Sequence, residues 1–134
     1  MKTNFKIVMT ILIAASSVSM AAVPKGSQST QVDWQKAEQN YIAGLQSGNT
    51  GVRHSAATFI AEYQLTGAES NLISLLQKDK VEQVRMTAAA ALIRIGNDEG
   101  RKAVEDAVVY DGSEKVAKFC EELIKATSHN LSAR

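Results

Sequence analysis

The chain has 134 residues, a formal net charge of +1, 45% hydrophobic and 22% charged residues, one Cys and one Pro. These values describe a globular chain of single-domain size and exclude disulfide-stapled, collagen-like and strongly charged disordered classes. Aromatic residues make up only 5% while alanine is abundant, which favours closely packed helices over a β-sandwich and predicts an all-α protein.

Lys2 and Lys6 precede an apolar stretch from Ile7 to Ala15, followed by the small and polar run Ser16 to Ala22. This three-part layout is that of a secretory signal peptide, and Ser19 and Ala21 place small residues where a signal peptidase reads, predicting cleavage after Ala21. The apolar stretch is about half of the ~20 residues a span requires, so no membrane span is expected in the mature protein. Cleavage removes two lysines and no acids, taking the formal charge from +1 to about −1. A nearly neutral exported chain lacks the basic density that phosphate-backbone binding demands, so no nucleic-acid partner is expected. Residues 22–32 are small and polar without helical period and read as a flexible leader.

From there the chain repeats every 32 residues. Val52, Val84 and Val116 start three segments in which Ala56, Ala88 and Cys120, then Phe59, Ala91 and Leu123, then Ile60, Leu92 and Ile124 recur in step. Offsets of 0, 4, 7 and 8 from each Val form one face of an α-helix and mark the expected core. A second amphipathic segment precedes each one: Leu72, Leu75 and Leu76 align with Val104, Ala107 and Val108, and Ile42 and Leu45 fit the same register after a shorter turn. Helices are predicted near 33–47, 50–65, 67–78, 80–95, 99–110 and 113–126. Thr66 with Glu69, Asp98, Asp79 with Glu82, and Asp111 with Glu114 are the expected N-terminal capping residues, and Gly96 is placed to end the fourth helix in a left-handed cap. The segment from Thr127 lacks periodicity, and residues 128–134 are expected to be a disordered tail.

The segments Val52-Arg53-x-x-Ala56-Ala57 and Val84-Arg85-x-x-Ala88-Ala89, ending in Phe59-Ile60 and Ala91-Leu92, resemble the signature of HEAT repeats. The pattern is most similar to the short bacterial HEAT-like repeats first noticed in phycobilisome lyases. The resemblance spans residues 34–126 and implies a short right-handed α-solenoid of about three helix pairs, 33–65, 66–97 and 98–127, within a domain at 33–127. The third repeat departs from the signature, with Ala117 in place of Arg and Phe119-Cys120-Glu121 in place of the paired alanines, which fits a terminal cap. The resemblance specifies fold more than function, because the same repeat serves scaffolds, lyase subunits and nucleic-acid enzymes.

In HEAT-like repeats an Asp and an Arg placed as Asp79 and Arg85 hydrogen-bond across the turn and to the adjacent repeat. The resemblance therefore implies a structural ladder of Arg53, Asp79 and Arg85, with anion binding by Arg53 and Arg85 as the other reading. Cys120 stands at a core alanine position and reads as a small buried hydrophobe, and the neighbouring Glu121 and Glu122 oppose a reactive thiolate. His54 and His129 have no ligands at metal spacing, the carboxylate neighbours on the helices do not face one another, and no phosphate loop or catalytic triad occurs. No catalytic, cofactor or metal site is expected. Trp34 shares a face with Ala37, Tyr41 and Leu45, which predicts burial at the end of the first repeat, with ligand stacking as the alternative.

Second helices line the concave side of HEAT-like stacks, and offsets 2, 6 and 10 are the positions their packing leaves free. The expected partner-binding ridge is therefore His54, Thr58 and Glu62, then Met86, Ala90 and Arg94, then Lys118, Glu122 and Ala126, with an exposed Met86 beside Ala90 and Ile93 as a small apolar contact. These features predict an exported, non-catalytic interaction or scaffold module, periplasmic or extracellular, that binds a protein or peptide through a curved helical surface. An accessory or chaperone subunit for a cofactor-bearing enzyme or substrate is the alternative, and a purely structural component is a third reading.

Overall fold

The computed structural model describes residues 31–132, which are all-α and carry no strand within that range. Helix α1 spans Trp34–Leu45, α2 Thr50–Glu62, α3 Glu69–Lys78, α4 Glu82–Ile95, α5 Asp98–Tyr110 and α6 Glu114–Ser132, with a single 3₁₀ turn at Thr66–Ala68 leading into α3. The expected targeting segment 1–21, most of the leader at 22–32 and the last two residues of the expected tail, 133–134, lie outside the described residues. Within 31–132 no helix is long and apolar enough to cross a membrane.

The helices form antiparallel pairs, α1 with α2, α3 with α4 and α5 with α6, and the second helices stack side by side so that α4 packs against both α2 and α6. Alanine makes that stacking close. Ala56, Ala57, Ala88, Ala89 and Ala91 are buried together with Ile60, Leu72, Leu76, Val84, Leu92, Val104, Val116 and Cys120. At Gly44 the approach of α1 to α2 is so tight that an added Cβ would lie 2.9 Å from the Ala56 Cβ. Small residues thus let helix axes approach where a larger side chain would hold them apart.

Helix ends follow backbone and side-chain chemistry that differs in part from the expected caps. Asp33 and Asn49 cap α1 and α2, accepting from the N–H groups of Lys36 at 3.1 Å and Gly51 at 2.8 Å. Gly96 takes φ 81° after α4, as its position after the last periodic residue predicts, and its N–H donates to the Leu92 carbonyl at 3.1 Å. Thirty-two residues earlier Gln64 takes the same left-handed region at φ 51°, while the Leu65 N–H donates to the Ile60 carbonyl at 3.0 Å. Thr66 does not form a capping box with Glu69: the Glu69 carboxylate instead accepts from the Gly100 N–H at 2.9 Å and the Asn97 side-chain amide at 2.7 Å, tying α3 to the start of α5. Asp98 is the first residue of α5 rather than its cap, which is Asn97. Asp79 and Asp111 each accept from the N–H two residues on, at Val81 and Ser113, and the same carboxylates accept from Arg53 and Arg85, so each serves the turn and an arginine together.

Four further expectations are corrected. The last helix runs on to Ser132, so residues 128–132 are helical instead of a disordered tail. The segment holds no Gly or Pro to stop it, and the Thr127 and Ser128 hydroxyls donate back to the Ile124 carbonyl, satisfying themselves within the helix. Met86 is only 6% exposed, so it offers no surface contact. Offset 2 on α2 and α4 lies on the seam with the following second helix, and α6 supplies that helix for Met86, whereas among the described residues none follows α6 to cover the exposed Lys118. Val52 and Phe59, expected in the core, are 46% and 39% exposed, because among the described residues no second helix stands before α2. Trp34 is half exposed, leaning on Tyr63 at 5.0 Å between ring centroids rather than buried.

Candidate functional site

Two side-chain arrangements mark the second helices, one a hydrogen-bonded ladder and one an open groove. In the first, Arg53 near the start of α2 donates from Nε and Nη2 to the Asp79 carboxylate at 2.7 and 3.1 Å, and from Nη1 to the Ser47 carbonyl at 2.9 Å. Arg85 repeats the pattern with Asp111, both bonds 2.9 Å, and with the Asp79 carbonyl at 2.8 Å. Each arginine thus joins its own turn to the turn of the next repeat by a two-pronged, charge-assisted contact. Asp79 reaches Arg85 through its carbonyl while its carboxylate serves Arg53. Asp111 belongs to the ladder although its spacing from Arg85, 26 residues as for Arg53 and Asp79, was the only sequence signal for it.

Burial pushes the Asp79 and Asp111 carboxyls up, but the arginine hydrogen bonds, the backbone N–H of Val81 or Ser113 and the guanidinium charge outweigh it and hold both below the ordinary carboxylate value. With three N–H groups each turned to these internal acceptors, Arg53 and Arg85 tie the scaffold together.

The second arrangement is a groove of about 290 Å³ between α2 and α4, lined by Thr58, Ala61, Glu62, Thr87, Ala90, Ala91 and Arg94. Helical spacing explains it: offsets 6 and 10 project to one side of each second helix, and the small alanines leave a trough between two neighbouring helices. Four residues of the expected ridge, Thr58, Glu62, Ala90 and Arg94, come together here, and Glu62 and Arg94 are exposed at the rim. His54 lies beside it, its Nδ1 2.8 Å from Thr87 Oγ1, whose hydroxyl donates to the Gln83 carbonyl, an arrangement that fits an Nδ1–H tautomer. Lys118 and Glu122 on α6 are exposed but are not among the groove's lining residues, and Met86 is withdrawn into the core. Ala61, Thr87 and Ala91 line the groove without having been expected there, since offsets 3, 7 and 9 become groove walls only once two second helices lie side by side.

Cys120 is buried, and desolvation, followed by the negative charge of Asp111, pushes its thiol up to about 11, which leaves negligible thiolate at neutral pH. Among the described residues no group of three His, Cys, Asp or Glu side chains gathers in a metal-holding arrangement. The groove itself presents hydroxyls, small apolar surface and one charge of each sign.

A family model described as HEAT repeats matches residues 39–125, about two thirds of the chain. No curated protein and no solved structure matches it.

Proposed function

Because the chain belongs to the HEAT-repeat family, whose repeats mediate protein–protein interaction and are typically not catalytic, we propose that it is an exported, non-catalytic interaction or scaffold module that holds a protein or peptide on the face formed by its second helices. The observation that carries this reading is the groove between α2 and α4. Its alanine floor accepts one or two small side chains, while Thr58 and Thr87 offer hydroxyls and Glu62 and Arg94 offer opposite charges at the rim. A segment with small apolar anchors flanked by charges of both signs matches that lining.

Photo-crosslinking tests it. A photoreactive residue at Thr58 or Arg94, introduced into the chain in the producing cell, should yield one discrete adduct, whereas the same residue at Lys102 on α5 should not. Equal adducts from all three positions, or none from Thr58 and Arg94, would remove the groove as the binding face.

Export is supported by the charged, apolar and small-residue order of residues 1–21. N-terminal sequencing of the protein recovered from the cell envelope or medium should begin at Ala22. Recovery with Met1 retained in the membrane fraction would make the segment an anchor.

A further inference from the structure

The 32-residue repeat places equivalent positions in two grooves between first helices, and the side chains there differ in kind. One groove, of about 220 Å³, lies where α3 meets the end of α1 and the start of α2, and its polar lining is Gln46, Arg53, Asn71, Ser74, Lys78 and Asp79. A shift of 32 residues turns Asn71, Ser74 and Lys78 into Ala103, Asp106 and Tyr110. These line the corresponding groove of about 340 Å³ between α3 and α5, together with Asp111. Packing therefore does not dictate the three residues: the first groove collects hydrogen-bond donors where the second is lined by carboxylates.

Asn71, Ser74 and Lys78 are spaced by three and four residues, so they share one face of α3. Across from them, Arg53 spends three of its five N–H groups on the Asp79 carboxylate and the Ser47 carbonyl, which leaves one on each terminal nitrogen. The Asp79 carboxylate, the one acid in the lining, already accepts from Arg53 twice and from the Val81 N–H. Among the described residues the side chains of Asn71, Ser74 and Lys78 take part in no hydrogen bond or ion pair, whereas Thr58, Thr87 and Ser128 spend their hydroxyls on carbonyls four residues back. The last turn of a helix favours a cation, which accounts for Lys78 but not for Ser74 and Asn71, one and two turns earlier.

We propose that this groove binds a carboxylate carried on a short carbon stem. The charges of Arg53 and Asp79 cancel, so Lys78 leaves the groove with one net positive charge, which a single carboxylate balances. Its two oxygens accept from the Lys78 ammonium, the Ser74 hydroxyl and the Asn71 amide, with the spare Arg53 N–H groups opposite. Leu45 and Leu75 complete the lining and suit the stem. A phosphate dianion would bring a second negative charge beside Asp79. The volume admits the end of a molecule and not a large ligand, so a free short-chain organic acid and the acidic side chain of a peptide offer the same group. None of these residues lines the α2–α4 groove.

Amide NMR of the isotopically labelled protein as isolated from the producing cell, titrated with glutarate at neutral pH and low salt, tests the site. Shifts should centre on Asn71, Ser74 and Lys78 and saturate in the millimolar range. Lys78→Met, at an exposed position, and Ser74→Ala, at a half-buried one, should each weaken binding about tenfold. Lys102→Met on α5 should leave it unchanged, and thermal unfolding checks that every variant remains folded. Arg53 is left intact because it ties the turns together. A blocked peptide carrying a single Glu separates the two sources: tighter binding than glutarate assigns the carboxylate to a peptide, and weaker binding to a free acid. Glutarate shifts that do not saturate overturn the proposal, as does binding undiminished in both folded variants. Inorganic phosphate that binds more tightly than glutarate overturns it as well. No partner at the α2–α4 groove takes part, so either result leaves that reading as it stands.

Discussion

Replacing Arg85 with Ala removes three donated hydrogen bonds at once, two to the Asp111 carboxylate and one to the Asp79 carbonyl. The side chains of Arg85 and Asp111 are 13% and 7% exposed, so the pair lies much nearer the buried limit than the surface limit. Breaking a buried ion pair costs about 3–5 kcal/mol, and an exposed pair contributes about 0–1 kcal/mol. Because Asp111 keeps the Ser113 N–H at 2.8 Å after the change, the expected loss is about 2–4 kcal/mol. Arg94→Ala, at an exposed position, should stay within about 0.5 kcal/mol. Urea denaturation midpoints of the parent and both variants measure the difference. The loss should also depend on pH. Asp111 titrates below its ordinary value in the folded chain, so its contribution is complete above the unfolded carboxyl value near ~3.9 and is lost as pH falls through the lower folded value. The gap between the parent protein and Arg85→Ala should therefore be full at neutral pH and shrink as the medium is acidified through the carboxylate range. Equal midpoints at neutral pH, or a gap that widens in acid, would refute the ladder as a source of stability.

Three further outcomes follow from burial and backbone geometry. Met86→Glu places a carboxylate in the stacked seam and should destabilise by about 3 kcal/mol or more, whereas Lys118→Glu, at the equivalent exposed position on α6, should change stability by less than about 0.5 kcal/mol; thermal unfolding separates them. Gln64→Gly relieves a left-handed residue at the position where the next repeat uses Gly96, and should stabilise by about 0.5–1 kcal/mol in the same assay. Cys120, buried and with its thiol pushed up to about 11, should react with a thiol reagent only as fast as the protein opens; labelling at the rate of a free peptide thiol would contradict its placement.

The period of 32 residues and the apolar offsets within it are local properties, and they suffice to set the helices, their pairing and the inward faces of Leu72, Leu76, Val84, Val104 and Val116. Gly96 was legible for the same reason, since its cap is decided by a few neighbouring residues. Position within the stack is not local. Val52, Val84 and Val116 occupy one register position and so do His54, Met86 and Lys118, yet Val52 alone of the first set is exposed and Lys118 alone of the second, because among the described residues α2 has no second helix before it and α6 none after it. The groove likewise combines walls from two repeats, so Thr58, Glu62, Ala90 and Arg94 could be anticipated from one helix each, whereas Ala61, Thr87 and Ala91 required both helices in place. Tertiary stacking also redirected Glu69 from its own helix start to the next repeat, and gave the two ladder aspartates arginine partners from neighbouring repeats beside the backbone N–H groups of their own turns. A carboxylate can bond a nearby backbone N–H in any chain, but a backbone N–H or an arginine brought to it from another repeat exists only once the repeats have stacked, and at low exposure that contact is strengthened.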